Sequence, residues 1–365
     1  MKSFFSIDKQ FLAALLSLLV LGLFFFSSAA LGILAREETK FYNILLNQLI
    51  FAFFAGIAAF IIGSFIPYKK WRQFAYFIFF LTAAATLLVF IKDFGFAHGG
   101  ARRWIYIFGI SIQPGEFLKF GTIILLSAWF ATYRHKINSF TYGLFPFLAI
   151  VGIPAAIFMM QPDTGTFLVI LGAAIILYLV SGAPYSHFFS LSALSVGGIL
   201  ILSELRPYLK TRLMTFWDPT QDPLGASYQI QQSLISIGSG GIFGRGFGQS
   251  IQKFSYLPEP VGDSIFAVIG EEVGLIGALF VITLFIFFAM RCVNISKNSP
   301  DTFGAFLSLG LGMLITVQAF LNIGSMLGVT PLTGVPLPFI SHGGTALLMN
   351  LFEAGVIANV SKHIS

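Results

Sequence analysis

Ten apolar runs, most of them near 20 residues long, decide what this chain can fold into. A helix of that length crosses the hydrocarbon of a bilayer with its backbone hydrogen bonds made internally. The runs cover roughly 11–34, 44–66, 73–91, 115–131, 142–160, 164–181, 187–203, 264–290, 303–328 and 341–360. Hydrophobic residues make up 56% of the 365 and charged residues 10%, a balance foreign to soluble globular domains. The expected fold class is all-α integral membrane: a polytopic bundle of about ten transmembrane helices. One large extracytoplasmic loop, about 205–262, interrupts it, and residues 1–365 read as a single domain. Only Gln161-Pro162-Asp163 separates the fifth run from the sixth, which makes those two a tight hairpin. The first run follows Lys2 and Lys9 and mimics a signal peptide, but with nine runs behind it the reading is a retained span. Cys292 is the only cysteine, so no intramolecular disulfide is possible and no thiol chemistry is indicated.

Lysine and arginine placement orients the bundle. With a cytoplasmic N-terminus, the inside segments hold Lys2, Lys9, Lys69, Lys70, Arg72, Arg134, Lys136, Arg291, Lys297 and Lys362. The short outside loops hold Arg36, Lys40, Lys92, Arg102 and Arg103. The bias puts both termini in the cytoplasm and the large loop outside. The net charge of +6 reflects this orientation, and without a soluble basic domain nucleic acid is excluded as a partner.

The large loop is where chemistry gathers. Leu205, Tyr208, Leu209, Leu213, Phe216 and Trp217 recur at helical spacing between Arg206, Lys210 and Arg212, the pattern of a helix in the headgroup plane or of a surface helix packed on the bundle. Residues 228–237 read as a second, polar-faced helix. It leads into Gly238-Ser239-Gly240-Gly241-Ile242-Phe243-Gly244-Arg245-Gly246-Phe247-Gly248, then Ser250-Ile251-Gln252-Lys253-Phe254-Ser255-Tyr256-Leu257-Pro258-Glu259, and ends at Asp263 before the eighth run. Glycines let backbone approach a ligand closely, and Arg245, Lys253 and Asp263 supply charge. Three shorter polar signatures share that face. They are Gly99-Gly100-Ala101-Arg102-Arg103-Trp104 with Gln113-Pro114-Gly115-Glu116-Phe117-Leu118-Lys119, then Gln161-Pro162-Asp163-Thr164-Gly165, and then Pro331 to Gly344 with Ser341 and His342.

Each candidate also has a plain reading. Asp263 and Asp163 each stand where an N-cap belongs. Arg102 and Arg103 can anchor at headgroups. Glu116 and Lys119 face each other at (i, i+3) inside an apolar run, where ionisable groups are costly and mark function by default, though a structural pair is open. Glu271 lies eight residues past Asp263, on roughly the same helix face, and the histidines form no metal cluster.

The glycine loop and the three signatures, in order from about residue 99 to 360, resemble the SEDS family of bacterial cell-wall polymerases, and within it the division and sporulation members more than the elongation ones. The departures are Gly262-Asp263-Ser264 where Thr-Asp-Phe is usual, Gly115 for a serine and His342 for a tyrosine. The resemblance implies lipid II as substrate, polymerised into glycan strands outside the bacterial cytoplasmic (inner) membrane. It also implies membrane lipid, a class B penicillin-binding protein and other division proteins as partners at the septum. The sugar 4-hydroxyl attacks an anomeric carbon whose leaving group is a pyrophosphate, so the reaction needs one base, a positive cradle and a lipid groove. Asp263 is the candidate catalytic base. A helix N-terminus lowers a carboxylate's pKa, so exclusion of water must raise it. Arg102, Arg103, Trp104, Glu116, Lys119, Asp163, Arg245, Lys253 and Ser341 are the candidate substrate-binding residues. A divalent cation such as Mg²⁺ or Mn²⁺ is the candidate cofactor, with no organic cofactor. A lipid II flippase and a non-catalytic division scaffold are the alternatives.

Overall fold

The computed structural model describes residues 6–364, except 36, 47, 49–52, 92–94, 99–100, 108–109, 221, 223–224 and 226. Gly99 and Gly100 of the first signature, with Lys2, Arg36 and Lys92 of the charge pattern, lie outside the described residues. The chain runs through α1 (Lys9–Leu34), α2 (Glu38–Leu46), α3 (Ala55–Phe65), α4 (Tyr68–Gln73) and α5 (Ala75–Leu87). A sheet of β1 (Gly95–His98), β2 (Ala101–Ile107) and β3 (Ile110–Ile112) follows, then α6 (Pro114–Tyr133), α7 (Phe145–Met160), α8 (Thr164–Val180) and α9 (Tyr185–Leu205). The long loop carries α10 (Pro207–Trp217), α11 (Tyr228–Ser239) and α12 (Gln252–Ser255), before α13 (Ile265–Lys297), α14 (Thr302–Met326) and α15 (Gly344–Ser361).

Each of the ten apolar runs holds a helix: α1, α3, α5 to α9 and α13 to α15. α1, α7 with its preceding turn, α9, α13, α14 and α15 are long and apolar enough to cross a membrane, while α3, α5 and α8 are shorter apolar helices. α6 has the length but carries Glu116 and Lys119. α14 and α15 lie at the centre of the bundle, and α9 is its most exposed spanning helix. The helices expected at 205–217 and 228–237 are present as α10 and α11. The loop before α6 departs from a wholly helical reading. It is an antiparallel sheet in the order β1-β2-β3, pairing Phe96 with Trp104 and Tyr106 with Ser111.

α13 is not continuous. Gly274 has φ 65° and ψ −165°, so the helix breaks there, after its first segment, residues 265–273. An unbroken helix would bond Leu275 N–H to Glu271 C=O and Ile276 N–H to Glu272 C=O. The glycine loop takes the place of both bonds. Gly241 C=O and Ile242 C=O accept from Leu275 N (2.9 Å) and Ile276 N (3.2 Å), and Arg245 N and Gly246 N donate to Glu271 O (3.0 Å) and Glu272 O (2.9 Å). Freed backbone groups at membrane depth must find such partners. The splice needs glycine on both sides, because a Cβ on Gly244 (φ 81°) would sit 2.2 Å from Glu272 O, and one on Gly274 2.3 Å from Gly244 N.

The side of the bundle away from the loop is clasped shut. Arg291 pairs with Asp8 at 2.5 Å, and Asp8 N donates to Ser361 Oγ (3.2 Å). Asn359 Nδ2 and Lys362 Nζ both donate to Ser64 O (2.7 and 2.8 Å), while Tyr68 N donates to Asn359 Oδ1 (2.9 Å). These contacts tie α1, α3, α4, α13 and α15 together at one end.

Replacing Gly244 by valine is expected to unseat the loop from the break, at a cost of at least about 1–3 kcal/mol from the backbone conformation alone. Thermal unfolding of the detergent-solubilised protein checks this. A Gly244→Val protein that melts with the parent would mean that the splice does not hold the loop.

Candidate functional site

Asp263 sits in the turn ahead of α13, on the loop side of the bundle. It does not cap the helix: Ser264 occupies the N-cap position and makes no side-chain cap bond. The turn is instead fastened through its backbone to the segment between α14 and α15. Asn322 Nδ2 donates to Asp263 O (2.7 Å) and to Val335 O (2.8 Å). Ser341 Oγ donates to Gly262 O (2.7 Å) and accepts from Leu337 N (2.8 Å), and His342 N donates to Val261 O (2.7 Å). Burial pushes the His342 imidazole down.

These bonds spend the main chain and leave the carboxylate available. Asp263 Oδ1 is shut off from solvent without a hydrogen-bond partner. Burial pushes the Asp263 carboxyl up to about 6, the Glu259 carboxylate adds to the rise, and the Gln229 amide and Arg212 oppose it. The helix N-terminus therefore loses to desolvation, and the group becomes a base of useful strength near neutral pH.

Arg212, on α10, faces this carboxylate. A Cβ on Gly334 would lie 3.7 Å from Arg212 Nη2 and 3.8 Å from Asp263 Oδ2, so the two charges flank that glycine. Arg212 Nη1 donates to Leu332 O (2.7 Å) and Thr333 O (3.3 Å), and its guanidinium lies 4.4 Å from the centre of the Tyr208 ring. The sequence does carry a sign of Arg212. At helical spacing it falls inside the apolar arc of Tyr208, Leu209 and Leu213. Lys210 lies on the other face and pairs with Glu204 (2.9 Å) in solvent.

Arg103 and Asp163 complete the cluster. The β1–β2 register shifts between Phe96 and Ala97, which leaves Arg103 as the extra residue of a bulge. Bulges re-aim side chains. Arg103 donates to Pro162 O and pairs with Asp163 Oδ1 at 3.6 Å, whereas Arg102 stays exposed and Trp104 half-buried. Asp163 also accepts Thr166 N (3.4 Å) as cap of α8 and Gln113 Nε2 (3.3 Å), so it caps the helix while it holds Arg103 and Gln113.

Glu116 and Lys119 meet as their spacing requires, 2.7 Å apart and buried. Lys119 Nζ also donates to Gln318 Oε1 (2.6 Å), and Gln318 Nε2 donates to Pro336 O (2.9 Å), so the pair is wired to the segment that holds Asp263. Beside it lies Glu353 of α15, buried with neither carboxyl oxygen hydrogen-bonded.

Arg245 and Lys253 are placed elsewhere. Lys253 is fully buried, with Nζ 2.6 Å from Glu272 Oε1 and 2.9 Å from Ser28 Oγ of α1. Arg245 pairs with Glu271 (3.5 Å), whose carboxylate also accepts Ser250 Oγ (2.6 Å), Ser236 Oγ (3.1 Å) and Ile251 N (3.0 Å). Both cations brace the loop on the broken helix. Glu271 is turned into that brace, not toward Asp263. Ser341 serves through its bond to Gly262.

A groove of about 330 Å³ opens beside the cluster. Its walls are apolar residues of α7, α8 and α9, among them Phe147, Phe167, Leu191 and Leu194, and Arg212 and Thr333 stand at its loop end. An apolar chain in the groove would bring its polar end to Arg212 and Asp263. Among the described residues no three carboxylate, histidine or cysteine groups converge, so the side chains do not fit a protein-built cation cage.

The comparison with known proteins agrees with this architecture. The model of the cell cycle protein family of FtsW, RodA and SpoVE matches residues 9–365. This chain belongs to that family. Stage V sporulation protein E of Bacillus subtilis is 39% identical over 317 residues, covering 87% of this chain and 86% of the relative. A probable peptidoglycan glycosyltransferase FtsW of Coxiella burnetii is 34% identical and covers 98% of this chain and 96% of its own. Among solved structures, the family fold recurs in the rod shape determining protein RodA of Thermus thermophilus (TM-score 0.70, 21% identity, 97% and 96% covered). It recurs also in a structure of a peptidoglycan synthase complex that coordinates polymerization and crosslinking (TM-score 0.79, 23% identity, 97% of each chain covered).

The raised pKa of Asp263 has a consequence for stability. As pH rises from the ordinary value near 3.8 toward 6, the unfolded chain ionises first, so the buried carboxyl weakens the fold across that window and above it. Asp263→Asn is therefore expected to insert normally and, at pH 7.5, to melt at or above the parent temperature. A lower melting temperature would show that the carboxylate holds the fold together.

Proposed function

We propose that this chain is a peptidoglycan glycosyltransferase that joins lipid II units at the outer face of the cytoplasmic membrane, with both termini inside. The observation that carries the proposal is a partly desolvated carboxylate facing an arginine at the mouth of an apolar groove between spanning helices. The names of the relatives and the resemblance of the signatures support the same reading. In this assignment the undecaprenyl chain lies in the groove and the pyrophosphate meets Arg212, with Arg103 near by. Asp263 accepts the proton of the attacking sugar 4-hydroxyl. The new bond forms from that oxygen to the anomeric carbon of the second unit as its bond to pyrophosphate oxygen breaks. The lipid pyrophosphate leaves as an anion and needs cations, not an acid. A divalent cation, Mg²⁺ or Mn²⁺, would have to be held largely by the pyrophosphate, and no step here is assigned to it.

The division role is part of the proposal, with a class B penicillin-binding protein as the partner carrying the crosslinking activity. A flippase would need a polar path open to both sides. The clasp of Asp8, Arg291, Ser64 and Asn359 closes the end away from the loop, which favours chemistry on one face.

Labelled lipid II incubated with the purified protein and its partner should yield glycan polymer. Activity is expected to rise with pH through a limb near 6, because Asp263 must be ionised to act. Asp263→Asn should lose roughly 10²–10⁴-fold, the usual worth of a general base. An Asn variant that polymerises at the parent rate would remove Asp263 from the chemistry.

Arg212→Ala should cost about 2–4 kcal/mol of transition-state stabilisation, and Arg212→Lys should recover only part of it, since a point charge lacks the bidentate fork. Glycan synthesis by well-folded protein is the readout. An Arg212→Ala variant as active as the parent would reduce Arg212 to packing on Tyr208.

A further inference from the structure

The tip of the glycine loop, residues 241–251, exposes a set of large apolar side chains that the site does not use. Phe243 is 81% exposed, and Ile242, Phe247 and Ile251 are exposed too. In a loop facing water this surface would be unfavourable, since contiguous apolar exposure marks an interaction site.

We propose that this tip is seated among the acyl chains of the bilayer leaflet on the loop side, with Arg245 at the level of the lipid phosphates. The bonds from Leu275 N to Gly241 O and from Ile276 N to Ile242 O lay the tip against α13 at a point where Leu275 and Ile276 are themselves 55% exposed on the spanning half of the helix. The outward face of the span and the outward face of the tip are one surface.

The Phe247 ring stacks on Phe24 of α1 at 4.0 Å between centroids. Phe24 lies 15 residues beyond Lys9, the first residue of α1, so it stands about 22 Å along the helix axis at 1.5 Å per residue. The hydrocarbon core is about 30 Å thick. Phe247 is therefore held below the boundary on the loop side. Ser28, which receives Lys253, stands one turn higher.

Several polar groups of the tip's irregular backbone are satisfied within the protein, which lowers the cost of seating it in the bilayer. Gly244 N donates to Gly240 O (2.8 Å), Arg245 N and Gly246 N to the break in α13, and Gln249 N to Gly246 O (3.1 Å), while the carbonyls of Gly241 and Ile242 accept from α13. Arg245 is the only charged residue between 241 and 251. Its side chain is 39% exposed and long enough to reach headgroups while paired with Glu271. The ligand class is thus a diacyl phospholipid. Its tails cover Ile242, Phe243, Phe247 and Ile251, and its phosphate meets the arginine that the sequence pattern assigned to substrate.

The test is a depth measurement on the full chain. Cys292 is the only cysteine, so Cys292→Ser gives a background for single spin labels at Phe243→Cys, Phe247→Cys and Ile251→Cys. Leu279→Cys on the exposed face of α13 and Thr220→Cys in the long loop serve as references. The proteins are placed in nanodiscs of phosphatidylethanolamine and phosphatidylglycerol, and label accessibility to oxygen and to a water-soluble nickel chelate is read by power saturation. Labels at 243 and 251 are expected to shift to the high oxygen-to-nickel ratio of the Leu279 reference, away from the Thr220 reference. Nickel access at 243 equal to that at 220 would overturn the proposal. Shielding from both reagents would overturn it too, because a second protein surface would then cover the tip. Should Phe247→Cys fold poorly through loss of its stack on Phe24, the labels at 243 and 251 decide alone.

Discussion

A helix broken inside a membrane must have its freed amides and carbonyls satisfied, and in this protein that constraint organises the entire loop side. The break at Gly274 exposes two donors and two acceptors. The glycine loop meets all four, and Glu271 and Glu272 then hold the loop by its side chains and its lysine. Buried carboxylates with one partner removed are strongly destabilising, so Ser28, Ser236, Ser250 and Lys253 are as necessary to this brace as the glycines. The short upper half of α13, residues 265–273, is thereby fixed relative to the span. Asp263 is carried at its tip.

The site itself is assembled by loops that bond through their main chains. Asn322, Ser341 and His342 grip the backbone around Asp263, and Arg212 grips the carbonyls of Leu332 and Thr333. Such a frame positions charges without neutralising them. Its cost is visible in Asp263, whose Oδ1 has no hydrogen-bond partner and whose carboxyl is harder to ionise than usual. A group held in this way works against the fold.

The spanning helices were legible because hydrophobic length is a direct physical requirement of the bilayer. The Glu116–Lys119 pair was legible because helical spacing alone brings the two side chains together. The three-stranded sheet was not: β1 and β3 are short, and the pairing of β1 with β2 carries a bulge that local pattern does not encode. Arg245 and Lys253 pointed to substrate because charge in a glycine-rich loop commonly marks a ligand. Their partners, Glu271 and Glu272, lie 26 and 19 residues away across a fold in the chain. The helix N-terminus that follows Asp263 argued for a lowered pKa, and only the three-dimensional burial reverses that. Arg212 was present as a single cation in an apolar arc, a signal that gains meaning once the groove beside it is seen.

The bulge at Arg103 bears on how such a site is acquired or lost. With the register shifted at that point, Arg102 pairs with Ala97 and Trp104 with Phe96, and Arg103 has no opposite number. The ladder is complete without it. The cation that holds Asp163 is thus an insertion into a hairpin, not an occupant of one of its positions. A descendant could discard it by deleting one codon, and the hairpin would become more regular for the loss. Alignments of such proteins should therefore be read for single-residue gaps at this strand as closely as for exchanges of one side chain for another.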